Sequence, residues 1–129
     1  MLKRLLLWGL VVAQMALLFT ASSSSDPDLP SQLSDKVVHF AAYGVLGALV
    51  LNALANGTIA GLTWPRALVA ILITVLYGLS DELHQSFVPG RSPDALDVLA
   101  DAAGAAAAAL TLLVFRWGHE AWMSSRAPR

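Results

Sequence analysis

Four long apolar segments, separated by short polar stretches, constrain this chain more than any other feature of its sequence. They cover residues 5–21, 37–55, 65–88 and 94–116. A membrane-spanning helix needs about 20 predominantly apolar residues, within a range of about 17–25. The first, second and fourth segments meet that length, and the third meets it only if its helix carries Asp81, Glu82 and His84 into the outer interface. The connections SSSSDPDLPSQLSDK, NGTIAGLTWPR and FVPGRSPDALD are rich in Pro, Gly, Ser and Asn, which favour turns over continued helix. The expected fold is all-α: a four-helix transmembrane bundle forming a single domain over residues 1–129. Composition points the same way. Only 13% of residues are charged and 57% are hydrophobic, whereas a soluble domain averages about 25% charged.

The first segment has some features of a secretory signal peptide, with Lys3 and Arg4 ahead of an apolar run. Its apolar run is longer than a signal peptide's core, and the bulky Phe19 makes Phe19-Thr20-Ala21 a poor cleavage site, so an uncleaved first span is expected. The absence of cysteine removes disulfides, thiolate metal sites and thiol nucleophiles. A net charge of -1 gives a nucleic-acid partner little electrostatic support.

Charge distribution orients the bundle. Lys3, Arg4, Arg66, Arg116, Arg126 and Arg129 fall at the amino terminus, in the second connection and in the carboxyl tail. By the positive-inside rule both termini and the second connection are expected in the cytoplasm. Every acidic residue except Glu120 then sits in or beside the two outer connections.

Helical rise turns this topology into depth. Asp81 lies 15 residues beyond Arg66 and Asp101 lies 15 residues before Arg116, which places each about 22 Å above the cytoplasmic boundary. His39, 17 residues before Asn56, reaches about 26 Å. In a hydrocarbon core about 30 Å thick, all three share one layer under the outer headgroups, where ionisable groups must turn inward and find partners.

Spacing suggests which groups cooperate. Asp94, Asp97 and Asp101 line one face of the fourth helix, and Asp81, His84 and Gln85 line one face of the third, with Glu82 about 100° away. Asp35 and Lys36 precede His39 by one turn. Ser92-Pro93-Asp94 reads as N-cap, N1 and N2 of the fourth helix, and Pro89-Gly90 reads as a tight turn aiming Arg91 at the carboxylates. Gly44, Gly47 and Ala48, with Ala100, Gly104 and Ala108, would let the second and fourth helices approach closely. The tryptophans read as interfacial anchors and Gln14 as an interhelical hydrogen-bonding residue.

Three ordered motifs carry a resemblance: D-K-x-x-H-F-x-x-Y-x-x-L-G from Asp35 to Gly47, S-D-E-x-x-Q-x-F-x-x-x-R from Ser80 to Arg91, and D-x-x-x-[ND]-x-x-G from Asp97 to Gly104. Together they resemble the VanZ-like family, named for a membrane protein linked to resistance against the glycopeptide teicoplanin. The resemblance implies a multi-pass protein of a bacterial cytoplasmic or inner membrane. Its signature positions are Asp35, Lys36, His39, Tyr43, Ser80, Asp81, Glu82, Gln85, Phe87, Arg91, Asp97 and Gly104. At Asp101 the chain has an acid where the family usually has Asn, so either burial protonates it or a cation stands nearby.

The expected site is an extracytoplasmic polar pocket for an envelope lipid or a lipid-linked cell-wall precursor, built from Lys36, His39, Asp81, Glu82, His84, Gln85, Arg91, Asp97 and Asp101. Arg91 and Lys36 would contact an anion, Asp81, Glu82 and Asp97 would hold those cations, and His39, His84 and Gln85 would read polar groups. No cofactor and no resident metal are expected, and protein partners are not specified. Two alternatives stay open: a membrane enzyme using His/Asp acid-base chemistry on a lipid-linked substrate, and a purely structural ion network. No H-E-x-x-H or G-x-S-x-G motif assigns a catalytic residue, which weighs against an enzyme.

Overall fold

The computed structural model describes residues 1–24 and 35–126. Asp26, Asp28 and Arg129, invoked above in the charge distribution, lie outside the described residues. The described residues form four α-helices, α1 Leu2–Ser22, α2 Asp35–Leu54, α3 Trp64–Gln85 and α4 Ala95–Ser125, with a short 3-10 turn at Ile59–Gly61 between α2 and α3. All four are long and apolar enough to cross a membrane, and no strand occurs among the described residues. α4 overshoots the expected end at residue 116 and continues to Ser125. Beyond Arg116 its side chains are largely exposed, and the segment is held by its own contacts: Arg116 Nε donates to Glu120 at 2.8 Å and Arg126 stacks 4.3 Å over Trp122.

α2 is central and touches the other three helices. Its closest neighbour is α4, because glycine removes the side chains at the crossing. A Cβ at Gly44 would stand 3.3 Å from the Gly104 carbonyl, and one at Gly47 would stand 2.9 Å from Ala105 Cα. The small-residue face of α4 is Gly104, Ala105 and Ala109, which are buried; Ala100 and Ala108 sit at its margins. The one-residue offset follows from Asp97 and Asp101 facing α2: continuing at helical spacing from them brings Ala105 and Ala109 inward.

The core is narrow. Tyr43, Leu46, Val50 and Leu51 of α2 meet Val11, Ala67, Ala70, Ala109 and Leu113. Large apolar side chains such as Leu10, Leu17, Leu68, Leu72, Leu76, Leu83, Leu99 and Val114 point outward instead. Such a surface would associate in water and is the ordinary surface of a chain solvated by lipid.

The helices sort their polar groups by end. At one end α2 closes in a Schellman motif, with Asn56 and Gly57 in the left-handed region (φ 54 and 61) and the Gly57 N–H donating to Asn52 O at 2.9 Å. Three cations cap carbonyls there: Lys3 donates to Gly57 O, Arg66 to Gly61 O and Arg116 to Leu62 O. Trp64 and Trp117 meet at the same end, with ring centroids 6.2 Å apart. The opposite end gathers Ser22 of α1, the first turns of α2 and α4 and the last turn of α3. The midsection carries only scattered polar contacts: Gln14 Nε2 donates to Ala42 O at 3.3 Å, and the Tyr77 hydroxyl donates to Met15 O at 2.6 Å.

Candidate functional site

The turn between α3 and α4 sets the site. Pro89 and Gly90 occupy its central positions, Gly90 has φ 83, and the Arg91 N–H returns to Val88 O at 3.1 Å, as a type II turn requires. The N-cap of α4 is Asp94 rather than Ser92. Asp94 is extended, and its Oδ1 accepts the Leu96 N–H at 2.8 Å. The Asp94 N–H in turn donates to Glu82 Oε2 at 2.7 Å, so Glu82 clamps the end of α3 to the start of α4. That clamp is why Ser92 and Pro93 stay outside the helix.

Glu82 therefore points inward, contrary to its expected divergence from Asp81. Asp81, Glu82 and Gln85 are buried together, and Gln85 Nε2 donates to both carboxylates at 3.3 and 3.2 Å. His84 leaves the group. Its ring stacks on Phe19 with centroids 4.3 Å apart, and its Nε2 lies 3.0 Å from the Ser23 hydroxyl.

The partners of the cations also differ from expectation. Lys36 Nζ donates to Asp94 at 2.6 Å and to Asp97 at 3.0 Å, tying the first turn of α2 to that of α4. The Lys36 ammonium on its side chain, with the Leu96 N–H, holds the Asp94 carboxyl below its ordinary range. Asp81 meets no cation among the described residues: the Ser22 hydroxyl donates to its Oδ1 at 2.6 Å, bringing α1 into the site. Sequence reasoning missed Ser22 because the SSSS run reads as connection. Asp101, 0% exposed, pairs with His39 Nδ1 at 3.0 Å. The imidazole occupies the place where a neighbouring cation was anticipated, while Asp101 Oδ2 has no hydrogen-bond partner.

With those carboxylates engaged, Arg91 makes no ion pair among the described residues, and its buried Nε has no hydrogen-bond partner. It lines a cavity of about 120 Å³ between α1, α2 and α3. Leu18, Ala21, Val38 and Ala42 give that cavity apolar walls; Ser22, Asp35, His39, Tyr43, Asp81 and Gln85 supply its polar groups. Tyr43 is 1% exposed and its hydroxyl is also unpartnered. Of the nine expected site residues, the cavity collects His39, Asp81, Gln85 and Arg91. Lys36, Glu82, Asp97 and Asp101 stand behind it as structural ties between helices, and His84 packs against α1. Tyr43 and Asp35 join the cavity wall, where their signal was their place in the first motif.

Asp35, His39 and Asp97 bring one ligand atom each within 4.8 Å of one another, a spacing open to a cation. Lys36 already stands on Asp97 there, supplying the positive charge as an ammonium.

Comparison with curated proteins and with solved structures finds no match. The VanZ/LLP1 family profile matches residues 6–116, a span that takes in α1, the whole polar end and α4 as far as Arg116. The chain therefore belongs to the VanZ/LLP1 family.

Proposed function

We propose that this protein is a multi-pass protein of the bacterial cytoplasmic membrane whose polar end faces outward and binds the headgroup of an envelope lipid. Both termini then lie in the cytoplasm, in keeping with the cations at the opposite end. Binding an outer-leaflet lipid, or a lipid-linked cell-wall precursor, at this depth would give the protein a route to altering susceptibility to glycopeptides such as teicoplanin, which act on that surface.

One observation carries the reading. Arg91 is led into the cavity by its turn, is not spent on a described carboxylate, and keeps a buried N–H without an acceptor among the described residues. A buried donor left unmet costs about 1–3 kcal/mol, which an anionic oxygen in the cavity would recover. Guanidinium is suited to that task because its fork engages phosphate bidentately. The apolar walls from Leu18, Val38 and Ala42 suit the first carbons of an acyl chain.

Replacing Arg91 with Gln tests this. In purified protein, copurifying phospholipid should fall several-fold while the melting temperature holds within a few degrees, since Arg91 ties no helices together. Loss of the fold with undiminished lipid would instead make Arg91 part of a structural network.

A second reading has its own observation: His39 lines the cavity with Nδ1 on a buried carboxylate, the arrangement of an oriented general base. It requires turnover of a lipid substrate that disappears in His39→Ala while the protein stays folded.

A further inference from the structure

Resting on the lipid reading above, we infer that the cavity selects a small zwitterionic headgroup, a phosphate bearing a primary ammonium, with Arg91 taking the phosphate and Asp35 the ammonium. Asp35 and Arg91 face the same cavity, and neither is paired with the other or with any other described residue. An anion alone would satisfy Arg91 and leave Asp35 unmatched; a cation alone would do the reverse.

Charge balance at this end separates the candidates further. Asp35, Asp81, Glu82, Asp94, Asp97 and Asp101 face Lys36, Arg91 and the imidazole of His39. A net anionic headgroup would deepen that acidic surplus, and a zwitterion leaves it unchanged. The Tyr43 hydroxyl adds a polar group to the same wall: it lies on a side chain 1% exposed, with Asp81 as its polar neighbour but no hydrogen bond within 3.5 Å among the described residues, and can donate to an ester or phosphate oxygen.

Size and donor chemistry narrow the class. The cavity volume of about 120 Å³ is on the scale of a small headgroup such as an aminoalkyl phosphate. A primary ammonium offers N–H donors to the Asp35 carboxylate. A quaternary ammonium offers none and is usually held by several Trp, Tyr or Phe faces, whereas Tyr43 is the one such ring among the described lining residues, stacked on the His39 imidazole.

The test uses the full chain in detergent and lipids of matched acyl chains, with retention read by native mass spectrometry. Phosphatidylethanolamine should be retained over phosphatidylglycerol and phosphatidylcholine. Asp35→Asn should lower phosphatidylethanolamine retention about tenfold, the worth of one charge-assisted hydrogen bond, without lowering phosphatidylglycerol retention. Tyr43→Phe should also weaken phosphatidylethanolamine, guarding against an Asp35 variant that fails to fold. Free phosphoethanolamine, lacking chains for the apolar walls, should compete only weakly; competition as strong as the lipid's would overturn a lipid source. Equal retention of phosphatidylethanolamine and phosphatidylglycerol in wild type and Asp35→Asn would overturn this selectivity while leaving Arg91-dependent lipid binding in place. Retention indifferent to Arg91→Gln would overturn both.

Discussion

Adding one methyl group to Gly104 should loosen the polar end from a distance. An ideal Cβ there overlaps the Phe40 carbonyl oxygen and stands 2.9 Å from the Phe40 carbonyl carbon and 3.0 Å from Gly44 N. These are backbone atoms, so no rotamer change relieves them. Ordinary carbon contacts lie at about 3.5–4.0 Å, so α2 and α4 must part by roughly 0.5–1 Å. Overpacking of this kind costs about 1–3 kcal/mol. The same two helices carry His39–Asp101 and Lys36–Asp97, both at 3.0 Å. Parting the helices stretches these bonds toward the limit of hydrogen bonding, and weakening the buried pair costs about 1–2 kcal/mol more. Alanine returns up to about 1 kcal/mol in helix propensity. The net loss of about 1–5 kcal/mol, centred on roughly 3, corresponds to a fall of roughly 10 °C in melting temperature for a chain of this size. Scanning calorimetry or a dye-based melt in detergent would read it. Gly118→Ala is the matched control, because a Cβ there meets nothing within 4 Å. If Gly104→Ala melts within about 2 °C of wild type while Gly118→Ala behaves the same, the close α2–α4 crossing is refuted.

The other predictions probe the polar end itself. Asp101→Asn should preserve the fold, since an amide oxygen can still accept from His39 Nδ1, whereas Asp101→Ala leaves a buried imidazole unmet and should lower stability by about 1–3 kcal/mol in the same melt. Asp94→Asn keeps the helix cap but removes the charge that meets Lys36. Because Lys36 depresses the Asp94 carboxyl from its ordinary value of 3.8, that stabilisation is present above pH 3.8 and lost as the pH falls through the lower folded value. The melting difference between wild type and Asp94→Asn should therefore be seen at pH 6–7 and shrink at still lower pH than 3.8, where a difference independent of pH would contradict the assignment. The absence of cysteine allows clean topology mapping. With an impermeant thiol reagent on intact cells, Ser86→Cys should label and Ser125→Cys should not; the reverse pattern would sink the outward-facing site.

The four helices and the layer shared by Asp81, Asp101 and His39 were legible because they follow from length and rise, which depend little on side-chain detail. What escaped was pairing. Six described carboxylates at the polar end and few cations allow many combinations, and spacing within a helix cannot choose between partners on different helices. Lys36 chose Asp94 and Asp97 because α2 and α4 cross at glycine, bringing their first turns together. Glu82 turned inward because the return of the chain presented it with the Asp94 N–H, a donor invisible to residue patterns. Ser22 was hidden for a related reason, since nothing in a run of serines marks which one will face a carboxylate 59 residues away.

Those pairings divide the polar end into two halves. Behind the cavity, Lys36 pairs with Asp94 and Asp97, Glu82 with the Asp94 N–H and His39 with Asp101, joining α2, α3 and α4 and leaving Asp101 Oδ2 without a partner among the described residues. A scaffold needs nothing more to fix these three helices. Toward α1 the pattern changes: Arg91 Nε and the Tyr43 hydroxyl are buried without partners, and Asp35 faces them unpaired among the described residues. Leaving buried polar groups unmet costs stability; behind the cavity this befalls the second oxygen of the already paired Asp101 carboxylate, whereas toward α1 it befalls two donors, among the described residues. The family motifs span both halves, Lys36, Glu82, Asp97 and Gly104 falling in the closed one and Asp35, Tyr43 and Arg91 in the open one. The closed half braces the open half, as the binding site proposed above would require of the side chains behind it.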